Sequence, residues 1–166
     1  MTQVVVRPTA PEDLDELLDH YEAVAAERIY IAGEAPVDRS RRRAAWIETL
    51  DPSTPGTSFV AQAGDELAGQ LGLHGTGRLD LGMFVAAAWR GKGVGTALME
   101  AALDYARAQE AYKISLEVWP HNTAAIALYE KFGFEREGYL RKHWRRRNGE
   151  LWDSVVMGLL LVDGGS

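Results

Sequence analysis

Hydrophobic positions along the chain follow two different periods, which divide the sequence into strands and helices. Short β-branched or alternating runs predict strands, and apolar residues recurring every three or four positions predict amphipathic helices. The predicted helices span residues 14–24, 39–50, 93–109 and 122–132. The predicted strands span residues 4–6, 58–63, 66–73, 79–85, 113–119 and a terminal hairpin that ends in strand 155–161.

Turn and cap signals connect these elements. Thr9-Ala10-Pro11-Glu12 predicts a capping box with a proline in the first turn of a helix. Asn148-Gly149 predicts a type I′ turn in the terminal hairpin, because that turn needs two residues with positive φ. Gly-rich turns between the three middle strands predict an antiparallel meander. Together with one βαβ unit, this order predicts a single α/β domain with a mixed sheet over residues 1–166.

Composition narrows the class of protein. The chain has 166 residues, of which 46% are hydrophobic and 25% charged, as expected of one globular domain rather than a disordered chain. It has no cysteine, which excludes disulfide scaffolds, thiolate metal sites and cysteine nucleophiles. The net charge of −6 disfavours nucleic acid as a partner. Basic runs at 39–43 and 141–147 are either solvated faces or phosphate-attracting patches.

Membrane and metal signals are weak. We expect no membrane association, because the sequence has no run of about 18 apolar residues. Its N-terminus lacks the charged and apolar regions of a secretory signal, so we expect a cytoplasmic protein. None of the four histidines has the spacing of a metal-binding motif, and no metal site is predicted.

A glycine-rich turn is the strongest chemical signal. The segment Arg90-Gly91-Lys92-Gly93-Val94-Gly95-Thr96 joins strand 79–85 to the long helix. Glycines allow close backbone approach, and the helix start offers free N–H groups to an anion such as a pyrophosphate. The segment fits neither a dinucleotide-binding turn nor a P-loop, because Thr96 and Ala86 stand where those motifs need glycine. The alternative interpretation is a tight strand-to-helix turn that binds no ligand.

Three further residues are candidates for chemistry. Asn122 and Tyr129 lie seven positions apart, about two helical turns, so their side chains point the same way. A helix N-cap and a core aromatic remain the alternative interpretations of these two residues. Glu117 alternates with apolar residues in strand 113–119 and therefore projects from the opposite face. Its alternative role is that of an ordinary polar-face residue.

Two linked motifs resemble those of the GNAT superfamily of acetyl-CoA-dependent N-acetyltransferases. They are Arg90-Gly91-Lys92-Gly93-Val94-Gly95 and the segment Asn122…Tyr129…Gly133-Phe134. The resemblance covers about residues 4–161 and is closest to members acting on amino acids or similar small amines. It implies a mixed, mostly antiparallel sheet of six or seven strands flanked by about four helices. That sheet would splay between strands 79–85 and 113–119.

Acetyl-CoA is the cosubstrate that the resemblance implies. Backbone amides of the glycine-rich turn would hold the pyrophosphate, and the strand before it the pantetheine arm and acetyl group. The implied cofactor-binding residues are Met83, Phe84, Val85, Arg90, Gly91, Lys92, Gly93, Val94, Gly95, Thr96 and Asn122. One departure is Ala87, at a position where many members have proline.

The resemblance also implies direct attack of an amine on the thioester. Glu117, acting through water, would be the base, and Tyr129 would protonate the leaving thiolate. The acceptor would meet Tyr30, Glu34, Tyr139 and Trp144. We favour a small amino-acid-like amine. The alternatives are a peptide or protein N-terminus, a non-catalytic acetyl-CoA-binding module and a different nucleotide-binding protein. Monomer and homodimer both remain open.

Overall fold

The computed structural model describes residues 2–162. Its α-helices are α1 (Leu14–Glu27), α2 (Arg39–Leu50), α3 (Val94–Ala108) and α4 (Thr123–Lys131). Its strands are β1 (Val4–Pro8), β2 (Gly56–Ala63), β3 (Glu66–His74), β4 (Arg78–Val85), β5 (Lys113–Val118), β6 (Glu135–Arg145) and β7 (Leu151–Leu160). The predicted α/β class, with seven strands and four α-helices over these residues, is confirmed.

The strands form one sheet in the order β1-β2-β3-β4-β5-β7-β6. Every neighbouring pair is antiparallel except β4 and β5, which run parallel. Those two strands pair only where Arg78–Asp80 meets Lys113–Ser115. Beyond that point β4 stays paired with β3, and β5 with β7, so a gap opens between them. The predicted splay of the sheet is therefore confirmed.

Two apolar cores cover the two faces of the sheet, because successive strand side chains point to opposite sides. On one face Leu71 and Ile114 pack with Leu98 of α3. On the other face Val60 and Phe84 pack with buried residues of α1 and with Trp46 of α2. The gap between β4 and β5 thus opens toward α3 and α4 on one side and α1 and α2 on the other.

The predicted capping box lies one residue further along the chain. Ala10, not Thr9, caps a short 3₁₀ helix, and its N–H donates to Asp13 Oδ2 at 2.7 Å. Asp13 is held there by two hydrogen bonds from Arg7, both 2.8 Å. The hydroxyl of Thr9 is instead hydrogen-bonded to Ser58 of β2 at 2.7 Å. The prediction from Thr9 to Glu12 was wrong because β-sheet contacts claim Thr9.

The predicted type I′ turn is also wrong. Gly149 has φ +89°, but Asn148 is not among the residues with positive φ. Gly149 N–H donates to Arg146 O at 2.9 Å, and Arg146 N–H donates to Glu150 O at 2.8 Å. This is a three-residue hairpin loop with a single glycine in the left-handed region, which leaves Asn148 free of the strain of positive φ.

Candidate active site

A cavity of about 720 Å³ occupies the gap in the sheet. On the α3 and α4 side, its wall includes the glycine-rich turn and Tyr129. On the α1 and α2 side, its wall includes Trp46 and Tyr30. A cavity of this size is typical of a small-molecule site, and here one opening joins both faces of the sheet.

The start of α3 is built to accept an anion. Gly91 and Gly93 have φ of +72° and +81°, a backbone region that favours glycine. The first helical hydrogen bond runs from Ala97 N–H to Gly93 O at 3.0 Å, and no side chain caps Gly93. The N–H groups of residues 94–96 therefore face the cavity without a partner within residues 2–162, at the positive end of the helix dipole.

The free edge of β4 supplies further polar groups. Ala86 N–H donates to Ala68 O of β3 at 2.8 Å. Because backbone groups alternate along a strand, Phe84 also directs its N–H and C=O toward β3. Met83 and Val85 then direct theirs into the gap. The side chain of Phe84 packs in the core on the α1 and α2 face of the sheet.

Arg90 is tied down beside this edge. Its guanidinium forms two hydrogen bonds of 2.7 Å with the Glu27 carboxylate and a third, of 3.3 Å, with Val85 O. It also lies 3.8 Å from the ring centre of Tyr30. The Arg90 side chain holds the Glu27 pKa below its usual value. Its charge is thus already balanced by the end of α1.

Tyr129 and Asn122 enter the cavity from α4. Tyr129 is 6% exposed, and burial raises its pKa to about 12, so its hydroxyl is protonated at neutral pH. Within residues 2–162 that hydroxyl has no hydrogen-bond partner. Asn122 Oδ1 caps α4 by accepting from Ala125 N–H at 3.3 Å, which leaves its Nδ2 for a ligand. Asn122 can therefore cap the helix and line the cavity at once.

Glu117 reaches the cavity from β5. Its Oε1 accepts a hydrogen bond of 2.8 Å from the Ser154 hydroxyl and one of 3.3 Å from Trp144 Nε1. Both donors bind the same oxygen, so Oε2 has no partner within the described residues. The carboxylate is thus fixed in orientation with one oxygen available to take a proton. Glu117 projects from the α1 and α2 face of the sheet, opposite its buried neighbours on β5.

Most of the predicted site residues share this one cavity. Those lining it are Tyr30, Met83, Phe84, Val85, Arg90, Gly91, Gly93, Val94, Gly95, Thr96, Glu117, Asn122, Tyr129 and Trp144. Three others lie outside its wall. Lys92 is exposed with its ammonium 5.1 Å from the Trp89 ring centre, Glu34 accepts from Arg147 N–H, and Tyr139 donates to Asp153.

Other lining residues were missed from the sequence. Tyr21, Arg42, Trp46 and Gln70 form much of the wall on the α1 and α2 side. Helical periodicity placed Tyr21 only in an apolar stripe, and Arg42 stood within a basic run that resembled a solvated face. Neither signal shows that a helix side chain turns toward a gap formed by distant strands.

The basic run in the hairpin also departs from a solvated face. Arg146 is 3% exposed and lies between the rings of Trp119 and Trp152, at 4.9 and 4.6 Å from their centres. It donates to Ala32 O at 2.9 Å. Burial lowers its pKa. Arg146 thus fixes the connection between α1 and α2, which covers the cavity.

Fold and cavity together define an α/β protein with a small-molecule site in a split sheet. A model of the acetyltransferase (GNAT) family matches residues 15–134. The chain belongs to this family and is an acetyl-CoA-dependent N-acetyltransferase.

Characterised relatives act on different acceptors. The chain is 35% identical to N-alpha-acetyltransferase RimI of Mycobacterium tuberculosis over 100 residues, which cover 56% of this chain and 61% of that protein. It is 28% identical to an L-methionine sulfoximine/L-methionine sulfone acetyltransferase of Pseudomonas aeruginosa over 144 residues. That match covers 81% of this chain and 82% of the relative.

Solved structures share the fold. A phosphinothricin acetyltransferase from Sinorhizobium meliloti, in complex with acetyl-CoA, aligns with a TM-score of 0.85 at 18% identity. The alignment covers 97% of this chain and 89% of that one. A ribosomal-protein-alanine N-acetyltransferase from Brucella melitensis aligns with a TM-score of 0.85 at 24% identity, over 95% and 99% of the two chains. Within residues 2–162, no helix has the length and apolarity to cross a membrane.

Proposed function

We propose that the protein transfers an acetyl group from acetyl-CoA to the amine of a small, amino-acid-like acceptor. The observation that carries this is the joining of two different walls in one cavity of about 720 Å³. One wall offers backbone N–H donors at the start of α3 that have no partner within residues 2–162. The other offers a carboxylate, Glu117, among aromatic side chains. Similarity over 81% of this chain to the Pseudomonas L-methionine sulfoximine/L-methionine sulfone acetyltransferase supports the acceptor class.

The residues at the start of α3 fit the pyrophosphate of acetyl-CoA. Their N–H groups have no partner in the described part of the chain, and the positive φ of Gly91 and Gly93 exposes the backbone to close approach. Apart from each glycine's own chain neighbours, no atom of residues 2–162 lies within 4 Å of where a Cβ would stand on Gly91 or Gly93. The backbone groups of Met83 and Val85 that face the gap could form hydrogen bonds with the amides of the pantetheine arm. Acetyl-CoA supplies an activated acyl carbon and a thiolate leaving group.

Glu117 would act as the base. The acceptor amine forms the new C–N bond with its lone pair, so it must first lose a proton. Glu117 Oε2 would take that proton through a water molecule, while Ser154 and Trp144 hold Oε1. As the C–S bond breaks, its electron pair leaves with sulfur.

Tyr129 would stabilise that departing sulfur. Its pKa of about 12 lies above the roughly 8.5 of a free thiol, so complete proton transfer in the ground state costs about 5 kcal/mol. The hydroxyl therefore acts mainly by a hydrogen bond that strengthens as charge builds on sulfur. A donor that acts chiefly in the transition state raises kcat.

A thiol-release assay with acetyl-CoA tests this proposal. We would present all amino acids, their amides, polyamines and short peptides. Turnover of small amino-acid-like amines supports the proposal. A second candidate, acetylation of a protein N-terminus, draws on the similarity to the mycobacterial N-alpha-acetyltransferase. Turnover of peptides alone would favour that second function and contradict the first.

A further inference from the structure

The arginines of α2 differ in what they contact. Arg39 pairs with Asp19 at 2.8 Å and with Glu22 at 3.1 Å. Arg43 pairs with Asp15, also on α1. Arg41 is exposed to solvent. Arg42 is half-buried, lines the cavity, and has no carboxylate partner within residues 2–162. The contact between α1 and α2 therefore uses two of these charges and leaves Arg42 available.

Arg42 is held in place by aromatic rings. Its guanidinium lies 4.6 Å from the ring centre of Tyr21. That ring packs edge-on against Trp46 and Phe84, each with ring centres 5.6 Å away. Cation–π contact with Tyr21 orients the guanidinium, and within residues 2–162 no carboxylate or backbone carbonyl accepts a hydrogen bond from it. A half-buried arginine with unfilled donors is suited to bind a planar oxyanion through two hydrogen bonds.

The charge balance of the cavity points the same way. Its other lining arginine, Arg90, is neutralised by Glu27. Its lining carboxylate is Glu117, which the proposed reaction places near the acceptor amine. Arg42 is thus the uncompensated cation among the lining residues that the structure describes. An acceptor bearing both an amine and an anion would complement this pair.

Arg42 lies on the acceptor side rather than the acetyl-CoA side. It contacts the Tyr21, Trp46 and Phe84 cluster on the α1 and α2 face of the sheet. The side chain of Met83, the neighbour of Phe84, points to the other face, 3.8 Å from where a Cβ on Gly95 would stand. Arg42 and the amides at the start of α3 therefore lie on opposite faces of the sheet, so an anion bound by Arg42 and a cosubstrate phosphate bound by those amides would occupy different parts of the cavity.

We infer that Arg42 is the specificity-determining residue of the acceptor site and selects amines that also carry a carboxylate. This inference rests on the proposed function. Two groups of opposite charge would then hold the acceptor. The acceptor's carboxylate would stay bound to Arg42 throughout the reaction. Removing the Arg42 side chain should therefore raise KM with little change in kcat.

The test compares three acceptors that share the same side chain. They are an amino acid, its α-amide and the corresponding decarboxylated amine. The side chain is the one turned over fastest in the amine panel. For the wild-type protein, kcat/KM should be highest for the amino acid. Arg42→Gln should lower kcat/KM for the amino acid about 10- to 100-fold, through KM, and change the other two less than threefold. Arg42→Lys should retain part of the preference.

Arg41→Gln is the matched control, since it removes an exposed charge one position away on the same helix. This variant should leave kcat/KM for all three acceptors unchanged. An equal fall for all three acceptors in Arg42→Gln, or a wild-type preference for the amide, overturns the role of Arg42 while the proposed function stands. If none of the acceptors is acetylated although acetyl-CoA stabilises the protein, the proposed acceptor class fails, and the role of Arg42 fails with it.

Discussion

Individual side chains in the cavity are shaped by their immediate surroundings. Among the residues that the structure describes, the buried Tyr129 hydroxyl has no hydrogen-bond partner, whereas Glu117 has one oxygen bound and one without a partner. Hydrophobic burial keeps the first neutral, and hydrogen bonds orient the second. These environments suit a hydrogen-bond donor and a proton acceptor, respectively, which is the division of labour that acyl transfer to an amine requires.

Replacing Tyr129 with phenylalanine tests the donor. We expect kcat to fall about 10²-fold, because acid–base groups contribute on this scale, with little change in the Kd of acetyl-CoA. Steady-state kinetics and equilibrium binding measure the two effects. Tyr112→Phe, at an exposed tyrosine outside the cavity wall, is the control and should retain full activity. An unchanged kcat in Tyr129→Phe would remove this hydroxyl from the mechanism. Since its pKa is about 12, tyrosine ionisation should not lower activity up to pH 10.

Replacing Glu117 with glutamine tests the base. The amide oxygen can still accept from Ser154 and Trp144, so the local structure should persist. We expect kcat/KM to fall about 10²-fold at pH 7, and the deficit to shrink as pH rises, because more of the amine is then already neutral. A pH series of initial rates measures this. Glu100→Gln, on the exposed face of α3, serves as the control, and a deficit that does not change with pH would argue against Glu117 as the base.

Secondary-structure elements place these groups through their ends and edges. The start of α3 provides N–H groups, and the free edge of β4 provides backbone polar groups. The first turn after β1 is fixed by the ion pair between Arg7 and Asp13. In each case a few local interactions set the geometry, so single substitutions should have separable effects on binding and on stability.

Gly93→Ala should weaken acetyl-CoA binding. At φ +81° a Cβ strains the backbone by roughly 1–2 kcal/mol, and relief of that strain would rotate the N–H groups at the start of α3. We expect Kd to rise about 10-fold or more, as when one charged hydrogen bond is lost. Gly64→Ala, in the turn between β2 and β3 and outside the cavity wall, also places a Cβ at positive φ (+61°) and should lower stability without changing Kd. Titration calorimetry measures both variants, and equal affinities would contradict the role of the turn.

Asp13→Asn should reveal a stabilising charge that depends on pH. Hydrogen bonds from Arg7 hold the pKa of Asp13 below its ordinary 3.8, so its charge stabilises the fold above that value. We expect the variant to lose about 1–3 kcal/mol of unfolding free energy at pH 7. The difference should decline as pH falls below about 4 and through the folded-state pKa. Urea unfolding at several pH values tests this, with Asp104→Asn on α3 as the neutral control. A difference that stays constant down to pH 2 would show that the charge is not responsible.

At the scale of the whole molecule, all seven strands of the described residues belong to one sheet, but β4 and β5 pair along only part of their length. The two parts meet through three residues of β4 and three of β5. Across the gap, the hairpin of β6 and β7 holds the connection between α1 and α2. Arg146 bonds Ala32 O there, and Trp119, which packs beneath the hairpin, bonds Ile31 O at 3.0 Å. A ligand in the gap would therefore contact both parts of the sheet and the connection between α1 and α2.

Acetyl-CoA should stabilise the folded protein measurably. At 100 times its Kd, a ligand that binds only the folded state contributes about 2.7 kcal/mol. For a chain of this length that corresponds to a rise in Tm of roughly 5–10 °C. Scanning fluorimetry with acetyl-CoA, ATP and NAD measures the effect. The Gly93→Ala variant should show a smaller shift at the same concentration, and a larger shift with ATP or NAD would contradict acetyl-CoA as the ligand.

The sequence by itself determined the elements, the glycine-rich turn and the residues proposed for chemistry. Those features depend on hydrophobic period and on residue types that lie close together in the chain, from Arg90 to Thr96 and from Asn122 to Tyr129. Only tertiary structure decided which residues form the cavity wall on the α1 and α2 side, where we propose that the acceptor binds. Arg39 and Arg43 pair with carboxylates of α1, whereas Arg42 has no carboxylate partner within residues 2–162, and Arg146 is buried against two tryptophans. The contacts of Trp119 and Arg146 join residues 88 and 114 positions apart, which no local pattern records.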